Sequence, residues 1–444
     1  TRGFEEFKAY LDTQIMEQLS KWCGISVTDI EKLTDIFCST AKIPLVAYTG
    51  LEYQLSAIQN NRAIFVLWAI TGKLDAPGAI YLNAKGLETP KLFEIPEDDK
   101  PIGVDEFPLF YKFSGLGQFS RFPKAVLEDE PYPVRGLMIL GGSPVLSFPD
   151  SKSWREAYKK LDCLIVLDRY FTEDARYADV VFPACSLFEV PKAAPGPEGP
   201  HIVEPLIEPV GESKNDVLIM GAIAKKLGFG DKLPQTEEEL RSWLLSGTAP
   251  YAGDFGTSAD QKKEKHYKKY ETGELRADGK PGFPTPSGKL EICSTILEEN
   301  GFVPYPEYKD VRSIPELAGK EYPFTMTSGA RSNNRMGVFG ANLDKIAEIE
   351  PYPFVDINAE DAKEIGIEDG DMVKVITPFA DGTFKAKIRG IARHAIHIPH
   401  GGGSAYMAEP WKNGNVNDLC SLDYADPMTG FVLIKSVPCR VEKV

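Results

Sequence analysis

The sequence predicts an α/β chain that ends in a β-barrel, and three observations carry that prediction. Between Arg135 and Pro183, short apolar strands alternate with a helix and a helical turn at the spacing of a parallel sheet. Between Pro353 and Ile376, a strand, a capped helix and a tight turn lead into further strands, as at the corner of a barrel. Upstream of both, apolar residues recur at helical spacing.

In chain order, Phe4, Phe7, Leu11 and Ile15 share a helical face, and Thr28-Asp29-Ile30-Glu31 has the form of a capping box, so two helices are expected over 4–40. A strand over Pro44–Tyr48 ends at Gly50. A helix then runs from about Leu55 to Thr71, closed by Gly72 and Pro77-Gly78. Residues 84–133 are rich in Pro, Gly and aromatic residues with little periodicity, and a long crossover hugging the surface is expected there.

The next stretch places a ligand crevice. Strands Leu137–Leu140, Cys163–Leu167 and Asp179–Phe182 are separated by a helix over Ser151–Leu161 and a helical turn near Thr172–Tyr177. Parallel sheets bind ligands beyond the carboxyl ends of their strands, which here are Gly141–Pro144, Asp168–Thr172 and Pro183–Ser186. Glycine at Gly141 and Gly142 lets backbone N–H groups approach a diphosphate, Ser143 can donate, and Asp168 can accept from a ribose hydroxyl or a purine N–H edge. On spacing alone, a plain turn at Gly141-Gly142 and a cap at Asp168 are the commoner roles. Asp179 reads as a structural cap.

Helices are expected over Asn215–Leu227 and from Thr236, where Glu239 completes a capping signature, to Leu245. The basic run Lys262–Lys269 reads as a solvated face, and Pro286–Glu291 as a turn followed by a strand. The barrel begins with Tyr322–Thr327. The Thr327–Ser332 phrase after it ends a strand in small residues and Arg331, whose guanidinium can fork onto a pyrophosphate. In the corner stretch, Phe354, Val355 and Ile357 form a strand, Asn358 caps a short helix, Gly366 stops it, and Asp369-Gly370 turns into a strand at Met372. Strands over Thr383–Ile388, Ile391–Pro399 and Val437–Val441 complete the pattern. His394, His397 and His400 are three apart, a spacing that alternates faces in a strand, so no metal site is expected.

Composition narrows the function classes. At 444 residues, 43% hydrophobic and 26% charged, the chain is an ordinary globular one of roughly two to four domains. A net charge of -15 argues against general nucleic-acid binding, which needs clustered Lys and Arg. The seven cysteines form no Cys-x2-Cys pair, so neither a zinc ribbon nor an iron–sulfur cluster is encoded in these residues. The longest apolar run, Ala63–Ile70, is far below the ~20 residues of a membrane span. A soluble protein of the cytoplasm or periplasm is expected. The chain starts without Met and drops directly into a helix, and reads as the C-terminal portion of something longer.

The phrases Leu137–Pro144, Asp168–Ala184, Pro286–Glu291, Thr327–Ser332, Asn358–Val373, His400–Gly403 and Asn415–Lys435, in that order, resemble the molybdopterin oxidoreductases of the dimethyl-sulfoxide-reductase superfamily. The wording is most similar to the thiosulfate, polysulfide and arsenate reductase branch. The resemblance implies Rossmann-like nucleotide-binding half-domains followed by a six-stranded, double-psi-like barrel. It divides the chain into the tail of a first half-domain (1–83), the crossover (84–133), a second nucleotide-binding domain with connector (134–320) and the dinucleotide-binding barrel (321–444). It implies bis(molybdopterin guanine dinucleotide) with molybdenum or tungsten, held by Gly141, Gly142, Ser143, Pro144, Asp168, Thr172, Thr327, Gly329, Arg331, Ser332, His400, Asn417 and Lys435. In such proteins the iron–sulfur cysteines and the metal-ligating residue lie upstream, so the chain is expected to be inactive alone, and its catalytic residue is not among those named. Its partners would be that upstream part and an iron–sulfur electron-transfer subunit. The Pro195–Pro200 stretch departs from the family, which has an arginine nearby. A second reading is a non-catalytic scaffold, as in the large iron–sulfur subunit of respiratory complex I. A third is an independent small-molecule binding module, which would bind nucleotide by itself.

Overall fold

Three parallel strands, β1 (Gly136–Leu140), β2 (Cys163–Asp168) and β3 (Val180–Pro183), form the first sheet in the order β1-β2-β3. The computed structural model describes residues 1–82, 100–194, 199–246, 266–329 and 344–444. The helix Ser151–Lys160 joins β1 to β2 and a 3-10 turn at Asp174–Arg176 joins β2 to β3, as the alternation of the sequence predicts. Asp179 is the expected cap: its carboxylate accepts from the Leu164 N–H at 2.7 Å.

Trp154 centres the core of this unit. It is fully buried and stacks on Phe122, with centroids 5.6 Å apart and planes 11° from parallel. Phe122 belongs to a helix, Phe122–Glu128, inside the stretch expected to hug the surface. That expectation fails for 100–133, because aromatic and aliphatic residues without obvious periodicity are spent on core packing: Phe107, Phe122 and Val126 are all buried. Residues 83–99 lie outside the described residues.

A two-stranded hairpin, β4 (Lys192–Ala194) with β5 (His201–Val203), follows the sheet. The helix Asp216–Lys226 is capped by Asn215, and Glu237–Leu245 by the full Thr236/Glu239 box, both as read from sequence. After Gly288, which has the positive φ of a turn, the expected strand is reduced to a single bridge between Arg2 and Glu291.

The C-terminal region is a closed six-stranded barrel. Its strands are β6 (Phe324–Ser328), β7 (Phe354–Asn358), β8 (Met372–Ile376), β9 (Asp381–Arg389), β10 (Ala395–Ile398) and β11 (Lys435–Lys443), in the order β10-β6-β11-β8-β9-β7. The β6–β10 and β7–β9 pairs are parallel and the other four antiparallel. Alternate residues point inward, and Met326, Val355, Ile357, Val373, Phe384 and Ile396 fill the interior with no exposed surface. The corner is built as the sequence predicts. The Asn358 carboxamide accepts from the Glu360 N–H at 2.9 Å and donates to the Ile391 carbonyl at 2.7 Å, tying the helix start to the loop between β9 and β10. Asn358→Ala is expected to cost about 1 kcal/mol, read as a lower urea midpoint at unchanged slope.

At the N-terminus the structure has three helices, Phe4–Asp12, Met16–Cys23 and Val27–Ser39, where two are expected. The cap of the third is Ser26, accepting from the Asp29 N–H, two residues before the box read at Thr28. The Pro44–Tyr48 strand does not form. Its backbone has no partner strand, and Val46 stays 97% exposed. The helix over Ala57–Ile70 matches. Among the described residues no helix is long and apolar enough to cross a membrane.

Candidate functional site

The barrel presents one rim to the carboxyl end of the parallel sheet. Strands β6 and β10 run parallel and finish together, with Ser328 beside Ile398, and β11 starts at the same rim with Lys435 beside Thr327. The loop after β10, His400–Ser404, lies over that rim. Glycine is required at Gly403: its φ is +94°, and a Cβ there would stand 2.8 Å from the Asn415 Cβ and 3.0 Å from a Leu146 methyl. Leu146 follows β1, so the rim loop packs directly on a strand end of the sheet. Two further contacts fix the approach. The Ala405 N–H donates to Glu173 at 3.0 Å, and the Asn417 carboxamide donates to the Leu146 carbonyl at 2.7 Å. Glu173, after β2, is only 2% exposed and is flanked by Arg155 at 3.7 Å and Arg176 at 2.9 Å.

The strand-end residues of the sheet divide between scaffolding and open function. Gly141 adopts a positive φ, and its N–H is committed to the Leu167 carbonyl at 2.9 Å, so it is not a phosphate donor. Gly142 has room for close approach, with only a strand carbonyl and a methyl near the position of a Cβ. Pro144 starts a one-turn helix. The Ser143 hydroxyl donates to Asp174, so the donor role read from sequence is already filled from within. Asp174 is fully buried and also accepts from the Tyr158 hydroxyl at 2.8 Å and the Val145 N–H at 3.2 Å. Burial pushes its carboxyl up while these donors hold it down. Thr172 is buried as a cap, accepting from the Ala175 N–H at 3.3 Å.

Asp168 accepts from the Tyr170 N–H at 3.0 Å, the turn role that the sequence left open to it. It does not stand alone. Burial, and after it the charge of Asp168, pushes the Asp216 carboxyl up, with Arg169 opposing. Asp216 Oδ1 is buried with no hydrogen-bond partner among the described residues. Sequence reading missed Asp216 because, directly after Asn215, it passes for first-turn helix chemistry.

On the barrel side, Lys435 is 8% exposed, and its ammonium donates to the Ser328 carbonyl at 2.5 Å. No carboxylate pairs with it among the described residues, and burial holds its pKa below the ordinary lysine value. Gly329, at φ +101°, leaves this ammonium open: a Cβ there would stand 3.0 Å from the Lys435 Nζ. Thr327 sits within β6, as the strand expected over Tyr322–Thr327 places it, and faces out of the barrel. Asn417 is completely buried, and its Oδ1 has no partner among the described residues. His400 is half-buried at the start of the rim loop. Arg331 and Ser332 lie outside the described residues. His394 and His397 have different partners: His394 faces Asp361 at 3.8 Å and His397 faces Asp356 at 3.0 Å.

Three features of these loops stand out among the described residues: a buried cation without a carboxylate partner at Lys435, a buried carbonyl oxygen without a donor at Asn417, and a buried Asp216 oxygen without a donor. This donor and acceptor set suits a ligand carrying phosphate at one end and adjacent N–H groups at the other.

Comparison with known proteins identifies relatives of the chain. The family profile described as "Molybdopterin oxidoreductase" matches residues 54–226, and the "Molydopterin dinucleotide binding domain" profile matches residues 325–438. The chain is 28% identical over 393 residues to the probable oxidoreductase YoaE of Bacillus subtilis, covering 84% of this chain and 53% of that protein. It is 27% identical over 423 residues to the alpha subunit of a formate dehydrogenase from Methanocaldococcus jannaschii, covering 90% of this chain and 59% of that protein. The chain thus spans little more than half the length of these relatives. In fold, it resembles the solved acetylene hydratase from Pelobacter acetylenicus, with a TM-score of 0.80 at 20% identity, over 100% of this chain and 66% of that one.

Proposed function

The chain belongs to the molybdopterin oxidoreductase family, and from that premise we propose that it supplies the cofactor-gripping part of a two-electron oxidoreductase holding bis(molybdopterin guanine dinucleotide). Lys435 carries this reading. A buried ammonium with no carboxylate partner among the described residues is a costly feature for a ligand-free structure and a useful one for binding a phosphate.

The other residues fit the same group. Asp168 and Asp216 offer acceptors matched to the adjacent N–H donors of guanine, and the free Asn417 Oδ1 can accept from a pterin or base N–H. When bound, the dinucleotide's dithiolene holds molybdenum or tungsten, and the redox chemistry takes place at that metal. The residues of this chain bind and orient; they supply the phosphate counter-charge and the base-reading carboxylates. The metal-ligating residue, an iron–sulfur cluster and an electron-transfer subunit belong, on this reading, to protein beyond these residues, and the chain is inactive without them. A scaffold that had lost the cofactor would have no need of an unpaired buried lysine.

The test is cofactor content. Protein produced in a host that makes molybdopterin guanine dinucleotide is expected to release pterin and guanosine monophosphate on denaturation and hydrolysis. Asp168→Asn combined with Asp216→Asn is expected to lower that yield about tenfold, in line with the loss of hydrogen bonds worth ~1.5 kcal/mol or more, with thermal unfolding of the apoprotein little changed. Wild-type protein that carries neither pterin nor guanine nucleotide would overturn the reading.

A further inference from the structure

The outer face of the barrel carries a transverse polar row. Asp356 on β7 stands beside His397 on β10, His397 beside Thr327 on β6, and Thr327 beside Lys435 on β11. Residues in direct register on neighbouring strands share a face, and strands are about 4.8 Å apart, so His397 lies two strands, or about 10 Å, from Lys435 on that face. The flanking residues Ile396 and Ile398 point into the barrel. His397 thus looks out on the same side as the ammonium assigned to the dinucleotide.

His397 is held in a defined pose. Its Nδ1 is 3.0 Å from Asp356 Oδ2, which as a carboxylate can only accept, so Nδ1 carries the proton. The other ring nitrogen, Nε2, is buried and has no hydrogen-bond partner among the described residues. In the neutral ring Nε2 is an acceptor; in the imidazolium it is a donor with positive charge.

Charged groups face it from the neighbouring strands. Asp356 lies beside it on β7, and Arg389 on β9 is 3.4 Å from Asp356 Oδ1. Lys387 on β9 is occupied by Glu350 at 3.7 Å, and Lys435 lies across Thr327. On its own strand, His394 turns to Asp361 instead.

We propose that His397, oriented by Asp356, is a second phosphate contact of the dinucleotide site, which grips the cofactor in its protonated form and loosens it when neutral. This rests on the dinucleotide reading of Lys435. Asp356 acts here as a positioning residue.

The experiment uses protein purified with its dinucleotide and dialysed at about pH 6 and about pH 8, either side of the ordinary histidine range. Retained guanosine monophosphate and pterin are quantified after denaturation and hydrolysis. Wild type is expected to lose cofactor about tenfold faster at the higher pH, as one charge-assisted hydrogen bond is withdrawn. His397→Gln, which keeps a polar side chain, should release at the fast rate at both pH values, and His397→Ala should do the same. Asp356→Asn should release at the fast rate at both pH values, because the amide no longer fixes the ring with the Nδ1 proton on the Asp356 side. Lys435→Met should release faster at both pH values while keeping the pH dependence.

If Lys435→Met loosens the cofactor but His397→Gln retains it with a wild-type pH profile, the His397 assignment is wrong and the dinucleotide reading stands. If the wild-type protein carries no dinucleotide, both fall together.

Discussion

Lys269→Met is expected to destabilise the chain by about 3–5 kcal/mol, the cost of breaking a buried ion pair from one side. The pair is with Asp75: the ammonium lies 2.5 Å from Oδ1, with the two side chains 1% and 0% exposed. The Lys269 N–H adds a bond to Oδ2 at 2.7 Å, the Leu82 N–H one to Oδ1 at 3.2 Å, and the ammonium also donates to the His266 carbonyl at 2.8 Å. Its Nζ stands 3.8 Å from the centroid of the Tyr81 ring. Methionine keeps most of the packing volume but leaves the Asp75 carboxylate buried with amide donors alone. Asp75→Leu in the same background is expected to recover part of the loss, because a matched apolar pair removes the stranded charge. Chemical denaturation of the two single variants and the double variant reads the coupling directly. Additive losses would mean that the two residues act independently and that the contact between residues 75–82 and 266–269 does not depend on this pair.

That pair also marks where sequence reading stops. Lys269 closes a basic run that reads as a solvated face, and nothing local distinguishes it from its neighbours; its partner lies 194 residues away. Strands with a regular inside and outside were legible, since β1, β2, β7 and β8 each follow from apolar patterning within a few residues. The Pro44–Tyr48 segment has the same look and forms no strand, because a strand is defined by a partner that the local sequence does not name. The candidate site divides the same way. Positions at strand ends, Asp168, Gly329 and Lys435, could be nominated from sequence. Their state could not: Ser143 is claimed by Asp174, 31 residues on, and Asn417 is left with one free oxygen by a bond to Leu146, 271 residues away. Asp216 and His397 were passed over because one resembles ordinary helix-start chemistry and the other sits in a histidine series that suggests metal and then fails the geometry of a strand.

Lys435→Met is expected to move stability and cofactor retention in opposite directions. In the apoprotein the Lys435 ammonium is buried against the Ser328 carbonyl without a carboxylate partner among the described residues, and burial lowers its pKa. The sign of the resulting pH effect follows. Between that lowered value and the ordinary lysine pKa of about 10.4, the unfolded chain binds more protons than the folded one, so apoprotein stability rises with pH through that window. Methionine removes the buried charge and this pH dependence with it, and is expected to leave the apoprotein as stable as wild type or about 1 kcal/mol more so at neutral pH. The loaded protein should behave oppositely. A buried charge-assisted bond to phosphate is worth up to ~3 kcal/mol, so its removal should weaken retention by about a hundredfold. Thermal unfolding of apo and loaded forms, wild type and variant, gives all four values in one measurement. A variant that loses stability equally in both forms would make Lys435 a structural tie for the end of β6. A loss confined to the loaded form would identify it as a counter-charge kept for the ligand, because only a ligand-dependent interaction can separate the two curves.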